Sequence, residues 1–330
     1  MKKIITLLTL LTLLCTPMLY AQAEEITVEP SLAPSGIAEI DGVFYFADSF
    51  QRVIWRYENS TAEVLAGQTT IVESSGRQLG GYYDAPLSQA SFQEPWAIVP
   101  YQDGLLVSDR GNHVLRYLDL DAQLVTTLAG TTTAGYEDGK NAAFDSLTGL
   151  AVGSDGTVYI ADTGNNVIRA LAPDGTVSTY AGGEEGCALG TLDEARFSAP
   201  TGLCYAGEVL YVADSGNHRI VAIENGQVSL VAGATLDGDA AYEGAYLDGA
   251  AAQACFANPQ GVAVSEDGTI YIADTGNGAV RMLQDGTVST LLAMDSLGTG
   301  PVAPRGLMVK DDVLYIGDVF SRLLIQMPVK

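Results

Sequence analysis

The chain has 330 residues, 47% of them hydrophobic, and its formal net charge is −24 because 40 acidic residues face only 16 Lys and Arg. This length forms one large domain or two ordinary ones and is ample for a buried core. The charge excludes nucleic-acid binding, which needs clustered basic residues to displace the counterions of a polyanion. The two histidines are too few for a histidine-rich metal centre, and we expect no cofactor.

Residues 1–23 have the pattern of a secretory signal peptide. A short basic start precedes an apolar run over residues 4–15, and Ala-Gln-Ala at 21–23 is the small-x-small pattern of a cleavage site. The run is too short to span a bilayer as a stable helix. We therefore predict cleavage between Ala23 and Glu24 and export of residues 24–330 as one domain with no membrane span. The alternative is a lipid on Cys15, which the bulky Leu14 before it disfavours.

The exported domain would be periplasmic, at the cell surface or extracellular, and it keeps three cysteines, Cys187, Cys204 and Cys255. An odd number in an oxidising compartment leaves at least one thiol unpaired. Cys204 stands in a β-rich run where other parts of the chain carry Ala, which favours a small buried residue. The sequence leaves the pairing of the other two cysteines open.

A unit beginning with Pro-x-Gly or a close variant recurs along the chain. Its six copies begin at residues 34–36, 95–97, 147–149, 200–202, 259–261 and 304–306. An aspartate follows the third residue of each triplet after 12 or 13 positions, at Asp48, Asp109, Asp162, Asp214, Asp274 and Asp318. Six copies with this spacing indicate a repeat architecture.

The third copy shows what each unit forms. Asp-Gly at 155–156 and 174–175 and Gly-Asn at 164–165 separate four short β-rich runs, and such pairs favour tight turns between antiparallel strands. Four strands per unit predict an all-β fold, a six-bladed β-propeller of four-stranded antiparallel blades. The last copy supplies only three strands, so we predict that residues 25–29 join it as the fourth and close the ring.

The repeated pattern resembles a known family. Pro-x-Gly-apolar-Ala-Val, followed by apolar-Tyr-apolar-Ala-Asp-Thr/Ser-Gly-Asn-His/Asn-x-Ile/Val-Arg, is similar to the NHL repeat, most closely at residues 149–169 and 261–281 and nearly so at 202–220. The resemblance extends from residue 34 to the C-terminus. It implies six blades and the binding of a protein, a peptide or another ligand on one face. Some NHL propellers resemble enzymes, among them a zinc amidating lyase whose histidines hold the metal, and two separated histidines cannot supply that site.

The six aspartates admit two interpretations. They form either a ring of carboxylates for a cation or a set of acceptors for backbone N–H groups in the turn after each strand. The second is favoured because a catalytic site is asymmetric and these positions are equivalent. His113 and His218 both follow Gly-Asn in their copies, which also favours a shared turn contact.

A second recurring set lies between the copies. Asp84, Asp138, Asp193 and Asp248 are each followed by Ala and then Phe, at Phe92, Phe144, Phe197 and Phe256. We interpret each as an N-capped helical turn whose Phe enters the core.

The topology of a propeller predicts which residues meet a partner. The crossovers between blades and the corners after the six aspartates share one face, and variable loops on a rigid scaffold are where binding resides. That face carries exposed aromatic candidates at Tyr82, Tyr83, Tyr136, Tyr242 and Tyr246. Copies one and six replace Gly-Asn by Phe-x-Arg, and as neighbours in a closed ring they are predicted to form a seam patch of Phe50, Arg52, Phe320 and Arg322. Simple divergence of the terminal copies is the alternative for that patch.

These observations predict a secreted, monomeric, non-catalytic binding or scaffold module. Its partner, a protein, peptide or glycan, would meet the face that bears the crossovers. The alternative is an enzyme in the central channel, with a metal-dependent lactonase-like or lyase-like site that uses carboxylates such as Glu39. A purely structural surface protein is the third possibility.

Overall fold

The computed structural model describes residues 27–30, 32–68, 74, 80–234, 244–293 and 302–329. These residues form six antiparallel sheets of four or five strands, which confirms the all-β, six-bladed propeller. The predicted signal peptide lies outside the described residues.

Each blade is numbered by its place in the chain, and its strands are given in order from the channel to the outer wall. The four principal strands of blades 1 to 3 are β2 (Pro34–Ile40), β3 (Val43–Asp48), β4 (Val53–Glu58) and β5 (Thr61–Ala66); β6 (Pro95–Tyr101), β7 (Gly104–Asp109), β8 (Val114–Asp119) and β9 (Leu124–Gly130); and β10 (Leu147–Val152), β11 (Val158–Asp162), β12 (Val167–Leu171) and β13 (Val177–Gly182).

Blades 4 and 5 each add a two-residue outer strand to the principal four. Their strands are β15 (Pro200–Ala206), β16 (Val209–Asp214), β17 (Arg219–Glu224) and β18 (Gln227–Ala232) with β14 (Gly190–Thr191), and β20 (Gly261–Val264), β21 (Ile270–Asp274), β22 (Ala279–Gln284) and β23 (Thr287–Ala293) with β19 (Gly249–Ala250). Blade 6 contains β24 (Pro304–Lys310), β25 (Val313–Asp318) and β26 (Leu323–Pro328). Five short 3₁₀ turns complete the described elements, at Leu87–Gln89, Arg110–Asn112, Thr163–Asn165, Ser215–Asn217 and Thr275–Asn277.

The N-terminal strand closes the ring. Strand β1 (Thr27–Pro30) pairs antiparallel with β26, with Thr27 opposite Gln326 and Pro30 opposite Leu323. Strand β26 thus has partners on both sides, and its buried Leu324 and Ile325 lie in a four-stranded sheet. The prediction that residues near 25–29 supply the fourth strand of blade 6 is confirmed.

The predicted turns also form. Gly156 and Gly175 have φ values of 84° and 83°, a left-handed conformation that glycine adopts without a steric cost. These turns join strands one and two or three and four of a blade, and we call the side of the ring where they lie the hairpin face. The corners after the six aspartates and the ends of the crossovers lie on the opposite side, the crossover face, while the middle of a crossover runs along the outer strand of the blade that follows, with Gly139 opposite Val177 and Gly249 opposite Val288. One contact that shows this is the hydrogen bond from Asn112 Nδ2 to the Gly81 carbonyl, at 2.8 Å.

The core lies between blades. Ala161 and Ile168 of blade 3 pack in one buried cluster with Val212 and Val221 of blade 4, and similar clusters join other neighbouring blades. Both faces of a blade are therefore apolar, because each sheet is covered by a neighbour on either side. Phe92, Phe144, Phe197 and Phe256 are all buried, as predicted for the crossover phenylalanines.

Glycines at the third position of the Pro-x-Gly triplet let the first strands approach one another around the channel. A Cβ on Gly149 would lie 2.0 Å from the carbonyl oxygen of Thr201 in the next blade, and one on Gly261 would lie 2.1 Å from that of Arg305. The pairing register also shifts at this point, between Leu147 and Leu150 in blade 3. The triplet is therefore a structural device for close packing of backbones.

Candidate functional site

The repeated aspartates organise the corners of the blades. Asp162 is fully buried; its Oδ1 accepts a hydrogen bond from the backbone N–H of Asp145 at 2.8 Å, and its Oδ2 accepts one from Asn165 Nδ2 at 2.9 Å. Asp109, Asp214 and Asp274 make the same two kinds of contact. These aspartates therefore accept backbone N–H groups, but in blades 2 to 5 the N–H belongs to the preceding crossover, and among the described residues only Asp48 and Asp318 accept one from the turn after the strand, from Gln51 and Ser321.

A buried arginine, which the sequence analysis did not single out, completes this arrangement. Arg169 is fully buried, and its Nη1 donates to Asp162 Oδ2 at 2.8 Å. Its Nη2 donates to Asp138 Oδ1 in the crossover, at 2.5 Å, and its Cζ lies 5.0 Å and 5.3 Å from the ring centroids of Tyr136 and Phe144. Arg116 in blade 2 and Arg281 in blade 5 make equivalent contacts. The arginine thus ties the corner of the blade to the crossover.

The crossover aspartates do not cap helical turns, so that prediction is wrong. Asp138 Oδ2 accepts from the backbone N–H of Thr179 in the fourth strand, at 3.1 Å, and Asp84 and Asp248 do the same with Thr127 and Thr290. The 3₁₀ turn Leu87–Gln89 is preceded by Pro86 and has no side-chain cap. Because a buried guanidinium lies within reach, these carboxylates pair with it instead of capping a helix.

Three blades vary the arrangement. In blade 4 the arginine is Arg219, two residues nearer the corner, and its Nε donates to Asp214 Oδ2 at 2.8 Å. In blade 1 the indole N–H of Trp55 donates to Asp48 Oδ2 at 3.1 Å. In blade 6 the position that corresponds to Arg169 holds Ile325.

The two histidines link neighbouring blades. His113 and His218 have a left-handed backbone conformation, with φ values of 57° and 54°. Their Nδ1 atoms accept hydrogen bonds from the backbone N–H groups of Ser146 and Asn258 in the next crossover, at 2.9 Å and 2.8 Å. The two residues thus share a turn contact, as the repeat position predicted.

The exposed tyrosines lie on separate blades. Tyr136 is 50% exposed, and its hydroxyl is 2.8 Å from Thr179 Oγ1 of blade 3. Tyr246 makes the same contact with Thr290 of blade 5, and Tyr82 makes it with Thr127 of blade 2. Tyr83 is exposed beside Tyr82, and Tyr242 lies outside the described residues. These side chains present one ring face to solvent but form no single cluster.

The seam patch is brought together in part. The Cζ of Arg322 lies 3.9 Å from the centroid of the Phe50 ring, and Phe320 is 71% exposed. Arg52 is instead buried, at 9% exposure, beside Gly80. The patch on the surface therefore consists of Phe50, Phe320 and Arg322.

The phenylalanines of the seam occupy positions that are closed in other blades. They replace the corner glycines Gly111, Gly164, Gly216 and Gly276, where an added Cβ would lie 2.4 to 2.5 Å from an atom of the preceding crossover. In blades 2 to 5 the crossover thus leaves no space for a side chain at this corner position, whereas blades 1 and 6 hold a phenylalanine there.

The crossover end of the channel is the most asymmetric site in the ring. The middle residue of each Pro-x-Gly triplet lies there: Ser35, Trp96, Thr148, Thr201, Gln260 and Arg305. The Ser and Thr hydroxyls bond to the backbone of the next blade, whereas the three large residues meet one another. The Cζ of Arg305 lies 3.8 Å from the centroid of the Trp96 ring, and its Nε donates to Gln260 Oε1 at 2.9 Å. The sequence analysis missed this group, although a comparison of the middle residue across the six triplets would have singled out these three large residues.

The other end of the channel opens on the hairpin face, in a cavity of about 490 Å³ lined mainly by apolar side chains such as Ile98 and Leu150. Glu39 lies at this cavity and is paired with Lys310. The hydrogen bond from Lys310 is the main reason that the pKa of Glu39 is lowered. In the part of the chain that the structure describes, no three His, Cys, Asp or Glu side chains converge as metal ligands.

The three cysteines of the domain are unpaired. Cys187 is exposed, while Cys204 and Cys255 are partly buried. Burial raises the pKa of the Cys204 thiol to about 11, which agrees with its prediction as a small buried residue. Within the described ranges, no helix has the length and apolar character needed to cross a membrane.

Comparison with known proteins identifies the repeat. The family model described as "NHL repeat" matches residues 144–171, 197–223 and 256–281. The chain contains NHL repeats. Among the relatives of this NHL propeller are bovine (Bos taurus) NHL repeat-containing protein 2, 28% identical over 288 residues, and the Arabidopsis thaliana chloroplastic protein SUPPRESSOR OF QUENCHING 1, 27% identical over 317 residues. Each match covers 72% of this chain, but only 39% and 29% of those longer relatives.

Solved structures share the fold of the NHL propeller. A gluconolactonase from Xanthomonas campestris superposes with a TM-score of 0.60 at 15% identity, covering 96% of this chain and 94% of that one. An auxiliary nutrient binding protein from Bacteroides thetaiotaomicron superposes with a TM-score of 0.61 at 11% identity, covering 93% and 74%. One neighbour is named as an enzyme and the other as a binding protein, so the shared fold does not determine the activity.

Proposed function

We propose that this NHL propeller is a secreted, non-catalytic binding or scaffold module that engages a protein, peptide or glycan on its crossover face. The observation that carries the proposal is where its large apolar side chains meet solvent. Of the nine such exposed residues in the described part of the chain, seven belong to crossovers or a corner: Tyr82, Tyr83, Tyr136, Leu189, Tyr246, Leu247 and Phe320. Exposed aromatic and aliphatic side chains concentrated in the connections between blades are typical of interaction surfaces.

The repeated polar residues support a binding role rather than catalysis. The buried aspartates and arginines of blades 2 to 5 bond to one another and to the backbone, and the histidines accept backbone N–H groups. A general acid, base or nucleophile needs a free group within reach of a substrate. These residues make the scaffold rigid and leave contact with a partner to the side chains around it.

Export with cleavage after Ala23 is part of this proposal. It rests on the basic, apolar and small-x-small segments of residues 1–23. A monomer in solution is likewise proposed, since β1 covers the outer edge of β26, which would otherwise be open for pairing with another chain.

The seam patch is the surface on which the proposal is tested. We expect the double variant Phe320→Ala/Arg322→Ala to bind a partner about thirtyfold more weakly, because an exposed Phe and a stacked Arg are the residue types that contribute about 2 kcal/mol or more at interfaces. The partner is first isolated from the native extracellular fraction on immobilised wild-type protein, and the dissociation constant is then measured by biolayer interferometry.

The matched control is Leu128→Ala, which removes an exposed apolar side chain from the outer strand β9. It should bind like the wild type. If the seam variant and the control bind with the same affinity as the wild type, the partner does not use this patch.

A channel enzyme is the second candidate, and the cavity on the hairpin face is the observation that favours it. A mainly apolar pocket of this size with a few polar groups is a common form of active site. Glu39 is its acidic residue, yet the hydrogen bond from Lys310 lowers the pKa of Glu39, so Glu39 is ionised at neutral pH and is a weak base rather than a general acid.

Metal analysis of the purified, undenatured protein separates the two candidates. We expect no divalent ion in stoichiometric amount and no hydrolysis of simple lactones. The decisive contrary result would be a tightly held ion together with lactone hydrolysis that Glu39→Gln abolishes and the exposed variant Glu63→Gln does not.

A further inference from the structure

We propose that the crossover end of the channel is a carboxylate-binding subsite, in which Arg305 binds the carboxylate while Trp96 and Gln260 hold the guanidinium in place. The subsite would lie within the surface that meets the partner, so this inference rests on the proposed function. The three residues belong to blades 6, 2 and 5, and only the closed ring brings them together.

The guanidinium of Arg305 is held in a defined orientation. Its Cζ lies over the Trp96 ring, 3.8 Å from the centroid, and Nε donates to Gln260 Oε1 at 2.9 Å. Trp96 is itself buried. Among the described residues, the two terminal nitrogens of Arg305 donate to no acceptor. A guanidinium that is held on one face and at Nε keeps its two terminal NH2 groups for a ligand.

Among the described residues, no carboxylate lies within ion-pair distance of Arg305. Arg110 lies on the same indole, 4.9 Å from its centroid, but its Nη1 donates to both carboxylate oxygens of Glu94, at 2.9 Å and 2.8 Å. Arg305 forms no ion pair with an acidic residue in the part of the chain that the structure describes. Burial lowers the pKa of Arg305 to about 10; the charge of Glu94 opposes this shift, Arg110 adds to it and Asp318 opposes it. An anion bound at the terminal nitrogens would place an opposite charge in direct contact with this buried guanidinium.

The shape of the site selects the kind of anion. The cavity at this end of the channel has a volume of about 120 Å³ and is lined by Arg305, Trp96, Gln260 and the glycines of the triplets. It has room for a planar carboxylate but not for a large ring. Two parallel N–H groups of a guanidinium match the two oxygens of a carboxylate. The carboxylate comes either from an acidic side chain or C-terminus of a peptide or from a free organic acid.

Tryptophan fluorescence reports binding directly, because the chain has only two tryptophans, Trp55 and Trp96. In the Trp55→Phe variant the emission comes from Trp96 alone. We expect sodium acetate and a short acidic peptide to change this emission with a saturable curve at constant ionic strength, while acetamide and sodium chloride do not. Wild-type protein gives the same titration on a constant Trp55 background if Trp55→Phe is unstable.

The variants assign the response to Arg305. We expect Arg305→Gln to weaken acetate binding at least tenfold and Arg305→Lys to weaken it less, because Lys keeps the charge but not the paired N–H groups. The control Arg56→Gln, which removes an exposed arginine paired with Glu58 and Glu63, should bind acetate like the wild type. Circular-dichroism melting verifies that each variant is folded.

Three results would overturn the subsite: no saturable response to any carboxylate in the wild type, the same response to acetamide or phosphate, or wild-type acetate affinity in Arg305→Gln. Tighter binding of the peptide than of acetate assigns the carboxylate to a peptide, and equal affinity assigns it to a free acid. Partner capture by the seam variants is measured separately. An acetate response without partner capture would reject the proposed function alone, and partner capture without an acetate response would reject the subsite alone.

Discussion

Arg169→Ala is expected to lower the free energy of unfolding by about 3–5 kcal/mol, because it leaves the buried carboxylate of Asp162 without its cation. Arg169 is fully buried and joins Asp162 at the corner to Asp138 in the crossover. The substitution also removes the guanidinium that lies between the rings of Tyr136 and Phe144. Urea unfolding followed by circular dichroism measures the change.

Two further variants show that the effect comes from the buried charge. Arg56→Ala removes an exposed arginine whose partners are Glu58 and Glu63, and it should change stability little. The double variant Arg169→Ala/Asp162→Asn should be more stable than Arg169→Ala, since it no longer buries an unpaired carboxylate. If Arg169→Ala unfolds at the same urea concentration as Arg56→Ala, the network does not stabilise the blade.

Gly149→Ala is expected to destabilise the ring by about 3 kcal/mol, at the upper end of the usual cost of overpacking. The added Cβ would lie 2.0 Å from the carbonyl oxygen of Thr201, a backbone atom of the next blade that cannot rotate away. The two first strands would have to move apart around the channel. Urea unfolding again gives the size of the effect.

Gly81→Ala is the matched control for this variant. A Cβ on Gly81 would lie 3.6 Å from its nearest neighbour, the Cβ of Ser91, which is an ordinary contact. We expect its stability to stay within about 0.5 kcal/mol of the wild type. Equal stability of the two variants would show that the first strands adjust to a Cβ and that the triplet glycine is not required for packing.

The candidate surface lies where the repeat is least regular. In blades 2 to 5 a corner glycine packs against the crossover, whereas Phe50 and Phe320 stand at that position at the seam. At the channel, small hydroxyl residues in three triplets bond to the next blade, and Trp96, Gln260 and Arg305 in the others contact one another. Repeated residues hold the ring together, so the proposed function assigns recognition of a partner to the residues that break the repeat.

Local patterns predicted the strands and turns correctly but not every side-chain partner. Asp84, Asp138 and Asp248 resemble helix caps when only their neighbours in the chain are considered, because Asp before an Ala-containing segment is a frequent cap. In the folded ring each lies beside an arginine and a threonine from strands three and four of the following blade. Those partners are 31 to 43 residues away in the chain, so the residues around each aspartate do not indicate them.

The sequence by itself determined the number of blades, the Asp-Gly turns and the origin of the closing strand. These follow from the spacing of the copies and from the need of every apolar sheet to be covered on both faces. Only the tertiary structure decided that Arg52 is buried while Arg322 lies on Phe50, and that Arg305 meets Trp96 across the channel. The reason is geometric: ring closure sets which residues of different blades become neighbours, and their separation along the chain carries no signal of it.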